Sequence, residues 1–218
     1  HSMLREELIR KVALKMDEIS SSNDVIVSVG ADDNNPLYTQ INTLLNESIN
    51  DVLSKAPIYR LTDYPYMSKL SDFRVETIGR RKIAFLRIPP SFIRLASITD
   101  VAFRRPIVEL AIQGDAVDII QHNPFLMAKN AKPVAVLNIT PNGEREIACY
   151  SYSATDTPNP MALYIERFNG SLDTSSVLDI NDYLADIVSW TCAGRVFVAQ
   201  GDALKGKACD ENAIALMV

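Results

Sequence analysis

The chain has 218 residues, is 47% hydrophobic and 22% charged, and carries a formal net charge of −5. That length suits one domain or two small ones with an ordinary core. An acidic balance without a long like-charge run argues against a surface that coats nucleic acid. Cys149, Cys192 and Cys209 are widely spaced and contain no Cys-x-x-Cys pair, which argues against a disulfide framework or a zinc site and fits reduced thiols made in a cytosol.

His1-Ser2-Met3 reads as a cloning remnant ahead of a natural Met3, and no secretory signal is recognised. Leu4, Leu8, Ile9, Val12, Met16 and Ile19 form one apolar stripe, which predicts a helix ending at Ser20-Ser21-Ser22-Asn23. Residues 24–33 mix a short apolar piece, Val25 to Val29, with Gly30 and Asp32-Asp33. Asn34-Asn35-Pro36 reads as a helix start, because asparagine caps and proline at the first turn lacks no needed donor. Leu37, Ile41, Leu44, Leu45, Ile49, Val52 and Leu53 repeat the stripe as far as Pro57.

From Ile58 to about Phe168 the period changes. Tyr64-Pro65-Tyr66 breaks any helix, and Ile83–Ile88 and Leu95–Phe103 read as strands. Between them Pro89-Pro90 ends the first strand, since proline donates nothing to a sheet ladder. The apolar run then restarts at Phe92. The result is a stiff corner from which Arg87 and Arg94 project. Pro106 to Ile112 is open between states, and Gly114 to Gln121 predicts a short helix over Val117, Ile119 and Ile120. Pro133–Ile139 and Glu144–Tyr152 are β-rich runs joined by Thr140-Pro141-Asn142-Gly143, a hairpin signal. Met161–Phe168 is a further strand. Asp179 then caps a helix from Ile180 to about Gln200, and a weaker helix spans Asp202 to Met217 with Leu204, Ala208 and Ala215 on one face. The run Ile187–Ala199 is shorter than the roughly 20 apolar residues of a membrane span. A helix apolar on nearly every side is either a central core helix or one that keeps part of its face for a partner.

The layout is therefore α+β: N- and C-terminal helices (3–57 and 178–218) forming a helical bundle, with a β-rich antiparallel region at about 58–170 in one domain.

Sequence patterns for chemistry are sparse. His122 sits in a turn-like Gln-His-Asn-Pro without a second native histidine, and reads as a solvated loop residue. Cys192 and Cys149 read as buried filler. Asp32-Asp33-Asn34-Asn35 lacks the glycine and terminal glutamate of an EF-hand loop. Asp115/Asp118 and Asp179/Asp182 fit helix first turns. No catalytic, cofactor or metal site is expected. Arg80-Arg81-Lys82 and Arg104-Arg105 are the dense basic spots, either solvated strand ends or partners for an acidic neighbouring surface.

Four features together resemble the podovirus-type head–tail adaptors, the tail tubular protein A or ring-protein family. They are the N-terminal Leu-Arg-Glu-Glu-Leu-Ile-Arg-Lys helix with a second helix ending Asp51-Val-Leu-Ser-Lys-Ala-Pro57; the corner Phe85-Leu-Arg-Ile-Pro-Pro-Ser-Phe-Ile-Arg-Leu95; Arg105-Pro-Ile-Val-Glu109; and the closing helix Tyr183 to Asp202 with the weak helix ending Ala213-Ile-Ala-Leu-Met217. The fuller middle region is similar to the ring proteins of crAss-like phages of gut bacteria. The resemblance implies a structural, non-enzymatic virion protein without cofactors, made in the host bacterial cytoplasm. It implies a ring, usually a dodecamer, between the portal protein and the next tail or ring protein, with DNA passing through the lumen without specific binding and no membrane contact.

Under that resemblance the corner motif is Leu86, Pro89, Pro90, Phe92, Arg94 and Leu95. The expected partner contacts are Arg104, Arg105, Arg195, Leu204, Ala208 and Ala215. In such adaptors the C-terminal segment reaches toward the portal, so residues 202–218 are expected to order on that contact. Two other classes stand beside this one. A peptide- or carbohydrate-binding module would show an exposed aromatic patch from Tyr150, Tyr152, Tyr164 and Phe168. A small hydrolase would join His122 to a carboxylate and a cysteine.

Overall fold

A computed structural model describes residues 2–20, 35–61 and 66–218. The expected short apolar piece at 25–29, the Asp32-Asp33 cluster, Asn34 and Tyr64-Pro65 lie outside the described residues. In chain order the elements are β1 (Ser2–Leu4), α1 (Arg5–Ile19), α2 (Pro36–Lys55), a 3-10 turn (Ile58–Arg60), β2 (Met67–Leu70), β3 (Phe73–Ile78), β4 (Arg81–Arg87), β5 (Phe92–Thr99), β6 (Ala111–Ile112), α3 (Ala116–Gln121), β7 (Val134–Ile139), β8 (Arg145–Ser153), β9 (Met161–Glu166), β10 (Val177–Asp179), α4 (Asp182–Ala199) and α5 (Ala203–Leu216). The protein is thus mixed α+β, with helices at both termini and a β-rich middle. It divides into two compact units: a helical one of His1–Pro65 with Arg167–Val218, and a β-rich one of Tyr66–Glu166.

In the helical unit, α4 is the core helix. Twelve of its residues are buried, Leu184, Ile187, Val188, Cys192, Val196 and Phe197 among them, and α1, α2 and α5 pack against it. Asn35 caps α2 by accepting from the Leu37 amide, with Pro36 at the first position. Two sequence expectations shift here. The cap of α4 is Asn181, accepting from Leu184 at 2.9 Å, because Asp179 is held in β10 opposite Ser2. Ser2 and Met3, set aside as a remnant, form that strand pair with Asp179 and Leu178.

A three-asparagine row on α2 organises the rest of this unit. Asn42, Asn46 and Asn50 donate through their side-chain amides to the carbonyls of Leu172, Gly170 and Phe168 at 2.8–2.9 Å. Four helical residues rise about 6 Å and two extended residues about 6.6 Å, so every fourth asparagine meets every second carbonyl. This is why β9 stops at Glu166 and not at the expected Phe168: from Phe168 the backbone finds its partners on α2. The side-chain oxygens of Asn42 and Asn46 in turn accept from Arg5, which is 0% exposed and also donates to the Asn42 carbonyl.

The β-rich unit has two sheets. One is β3-β4-β8-β7-β6, antiparallel except for the parallel β6–β7 pair, and the other is the antiparallel β2-β9-β5. Leu86, Ile147, Cys149 and Tyr152 from the first meet Phe92, Leu95, Ile98 and Tyr164 from the second in one core, as in face-to-face sheet packing. Strands β4 and β5 belong to different sheets, and the proline corner at Pro89-Pro90 carries the chain from one to the other. Strand β5 is shorter at its far end than expected, because Asp100 accepts from the Ala102 amide and from the Tyr152 hydroxyl and closes a turn there. The Thr140–Gly143 hairpin forms as expected, with Gly143 at φ 78° and its amide bonded to Thr140. Strands β2 and β3 were not foreseen; β3 is an exposed edge strand in which Phe73 and Val75 alternate with Arg74 and Glu76.

Two residues apart in one strand, Tyr150 and Tyr152 would share a face in regular alternation. They do not, because a bulge opposite Lys82–Ala84 places Ser151 at φ 100° and shifts the side-chain parity. Tyr150 lies with Phe85, Val136 and Ala148 on the outer face of the larger sheet, and Tyr152 lies in the core between the sheets.

Candidate interaction surface

The segment from residue 105 to 135 of the β-rich unit holds the most distinctive surface. Gly114, at φ 87°, turns the chain into α3, and Asp115 caps that helix by accepting from the Asp118 amide. The buried residues of α3 are Asp118 and Gln121. Asp118 accepts from the Gly114 amide at 2.7 Å. Gln121 accepts from the Ala128 amide at 2.9 Å and donates to the Val117 carbonyl, and its own carbonyl accepts from Arg81. The Arg81 guanidinium lies 5.5 Å from the Tyr150 ring, so this arginine fastens the α3 loop to the sheet. With the polar side chains fixed inward, the apolar ones face out. Ile119 and Leu126 are each 63% exposed and Phe125 is 90% exposed. The short helix was expected; its inverted orientation was not, and Phe125 and Leu126 were missed.

Next to this helix runs a groove of about 1080 Å³, floored by Ile107, Leu110, Val117, Ile120, Leu126 and Pro133 and rimmed by Arg105, Lys129 and Lys132. The 127–131 loop separates it from a second recess of about 500 Å³ lined by Arg80, Arg81, Arg104 and Lys129. The fold therefore unites the two basic spots read from the sequence. Arg104, Arg105, Lys129 and Lys132 make no ion pair among the described residues. The β-rich unit carries 12 basic and 10 acidic residues, net +2; the other 10 basic and 17 acidic residues give the helical unit −7.

The remaining candidate residues fall elsewhere. In the corner, Leu86, Phe92 and Leu95 are core residues, Pro89 is half-buried and Pro90 exposed. Arg94 is half-buried, and burial lowers its pKa. Arg87 pairs with Glu144 at 2.6 Å beside an open recess along the corner. Arg195 pairs with Glu47 at 3.3 Å and reaches Asp51 at 3.8 Å, tying α4 to α2. On α5, Gly206, Cys209 and Ala213 face α4, while Leu204 is 84% exposed, Ala208 is half-buried and Ala215 is exposed. Residues 203–216 form this helix within the chain itself, with Gly206, Cys209 and Ala213 buried.

His122 caps the end of α3, with its Nε2 3.4 Å from Asp118 Oδ1. Cys149 lies in the core between the sheets, on the opposite face of β8 from Tyr150, whose ring centre is 6.3 Å from that of His122; the histidine and the cysteine are not brought together. Tyr150, Tyr152, Tyr164 and Phe168 are all buried and form no aromatic surface patch. No group of metal-ligating side chains occurs among the described residues, and no described helix is long and apolar enough to cross a membrane.

All three cysteines are buried. Burial pushes the thiols of Cys192 and Cys209 up to about 11 and that of Cys149 higher still. At pH 8 each is expected to resist Ellman's reagent until the protein is unfolded in guanidinium, when all three react. Rapid labelling of a native thiol would contradict this placement.

No protein-family model matches the chain, and no curated protein matches it in sequence.

Proposed function

We propose that the chain is a structural, non-enzymatic subunit of a phage head–tail connector, an adaptor ring placed between the portal and the next tail component in the virion. The helix–helix, β-rich middle, helix–helix order supports this reading, since the terminal helices close on one another and carry the β-rich unit as an insertion. The observation that carries it is the inverted helix α3. Its side chains are held apolar-outward by buried hydrogen bonds, beside a groove with unpaired cations, and an exposed apolar face of this kind suits a protein partner. The excess of carboxylates on the helical unit fits a protein past which DNA moves without being gripped, because carboxylates repel phosphate.

Mixing the purified chain with a cognate portal is expected to give a complex whose light-scattering mass exceeds that of the portal, with an added ring in negative-stain images. A portal whose mass and image stay unchanged would overturn the proposal.

A further inference from the structure

The recess on the far side of the 127–131 loop is distinguished by its charge. Its volume is about 500 Å³, and Arg80, Arg81, Arg104 and Lys129 line it without one carboxylate. By contrast, the groove beside α3 carries Glu109 and Asp115, and the recess along the corner carries Asp72 and Glu144. The four cations come from the β3–β4 hairpin, the turn after β5 and the 127–131 loop, so only the fold assembles them. Arg80, Arg104 and Lys129 make no ion pair and no side-chain hydrogen bond among the described residues. Arg81 donates to neutral acceptors, the Gln121 carbonyl and Met127 Sδ, and keeps its full charge. The carboxylates behind the wall are already engaged. Asp156 accepts from the Ser153 amide and the Asn130 side chain, and Lys82 adds a further cation there by donating to the Asp156 carbonyl. Asp100 accepts from the Tyr152 hydroxyl and the Asn159 amide, and Asp118 from the Gly114 amide.

We infer that this recess binds an oligophosphate, a run of two or more phosphates that is either free or carried by a nucleotide. Like charges around one hollow repel one another, and a multiply charged anion relieves that repulsion. Guanidinium forks match phosphate oxygens with paired hydrogen bonds, and a lysine adds a point charge. Ser151 Oγ accepts from the Val134 amide at 3.3 Å and keeps its proton to donate. The volume falls in the range of small-molecule pockets, roughly 300–1,000 Å³. A lone carboxylate neutralises one of the four charges, whereas adjacent phosphates bring several into the same space. A DNA duplex presents its phosphates on a convex cylinder, which suits an extended basic surface and not a hollow bounded by a loop. The inference goes beyond the connector reading and does not depend on it.

Titration calorimetry of the full-length chain with tripolyphosphate, in EDTA at low ionic strength, is expected to show saturable binding that weakens as salt is raised. Arg104→Glu and Lys129→Glu are each expected to weaken it about tenfold or more, because each replaces a charge-assisted contact by repulsion. Lys132→Glu, which lines the groove on the other side of the loop, is expected to change it less than about twofold. All three positions are exposed, so the circular dichroism spectra are expected to match that of the parent. ATP binding more tightly than tripolyphosphate assigns a nucleotide, and equal or weaker binding assigns a free oligophosphate; either result supports the inference. No saturable binding, an equal loss in Lys132→Glu, or the same heat from sulfate at matched ionic strength would overturn it. So would tighter binding of a short DNA duplex or a hexaglutamate peptide that is lost in the same two variants, since it would assign the recess to nucleic acid or to an acidic protein. A chain that docks on the portal but ignores tripolyphosphate loses this inference and keeps the connector reading; one that binds tripolyphosphate but never docks does the reverse.

Discussion

Replacing Arg5 by methionine is expected to destabilise the protein by about 3–5 kcal/mol, read from urea or guanidinium unfolding curves. The guanidinium is fully buried and donates to Asn42 Oδ1, Asn46 Oδ1 and the Asn42 carbonyl. Burial lowers its pKa, a sign that desolvation opposes the charge and that these hydrogen bonds must offset it. Methionine fills much of the volume but leaves the half-buried Asn42 Oδ1 and Asn46 Oδ1 without this donor, while the Asn42 carbonyl keeps its partner within α2. The same two asparagines hold the backbone at Gly170 and Leu172, so the effect reaches the 168–172 segment. Arg5→Met in an Asn46→Leu background is expected to be less damaging than in the parent chain, because one stranded acceptor has already been removed. A loss below about 1 kcal/mol in the parent, or strict additivity in the double variant, would show that the network does not act as a unit.

The second large effect is expected from Gly206→Val on α5. A Cβ at Gly206 would stand 2.6 Å from Val198 Cγ2 and 3.1 Å from the Gly194 carbonyl oxygen. Gly194 is reciprocal: a Cβ there would meet the Gly206 carbonyl at 3.1 Å and Cys209 Cβ at 3.3 Å. The two helices approach through this pair of glycines, and the α4 backbone, enclosed by the core, has little room to yield. A branched side chain is expected to lift α5, at a loss of about 2–3 kcal/mol that outweighs the few tenths gained from better helix propensity. Lys207→Val, one position away on the exposed face, is expected to change stability by no more than about 0.5 kcal/mol. The lifted helix also uncovers Cys209, so Gly206→Val should make this thiol react with Ellman's reagent before global unfolding. A variant with unchanged midpoint and a protected Cys209 would refute the tight glycine contact.

Much of the fold was legible because its signals are local. The stripes of α1 and α2, the Asn35-Pro36 start, the Asn142-Gly143 turn and the all-round apolar character of α4 each depend on residues a few positions apart, and each appears in the structure near its expected bounds. The corner at Pro89-Pro90 was legible as a break, though its role of passing the chain between two sheets was not. The edge strand β3 escaped because the alternation of Phe73 and Val75 with Arg74 and Glu76 is short, and Ile78 falls on the charged face. The candidate surface was half visible: its arginines stood out as pairs, whereas Lys129, Lys132 and Phe125 are isolated in sequence and gain meaning only from the folding of the 121–133 loop. The asparagines at 42, 46 and 50 did hold a readable period, and attention to polar as well as apolar repeats would have found it.

Local periodicity and turn chemistry were enough to place helices, hairpin and α+β order, because each such signal is completed within one or two turns of chain. Which face of α3 points inward, whether Asp179 or Asn181 caps α4, and on which side of β8 Tyr150 lies were settled by contacts from distant segments: Arg81 on the Gln121 carbonyl, Ser2 against Asp179, and the bulge at Ser151. An apolar pattern states that a face avoids water, and only the assembled neighbours determine what covers it.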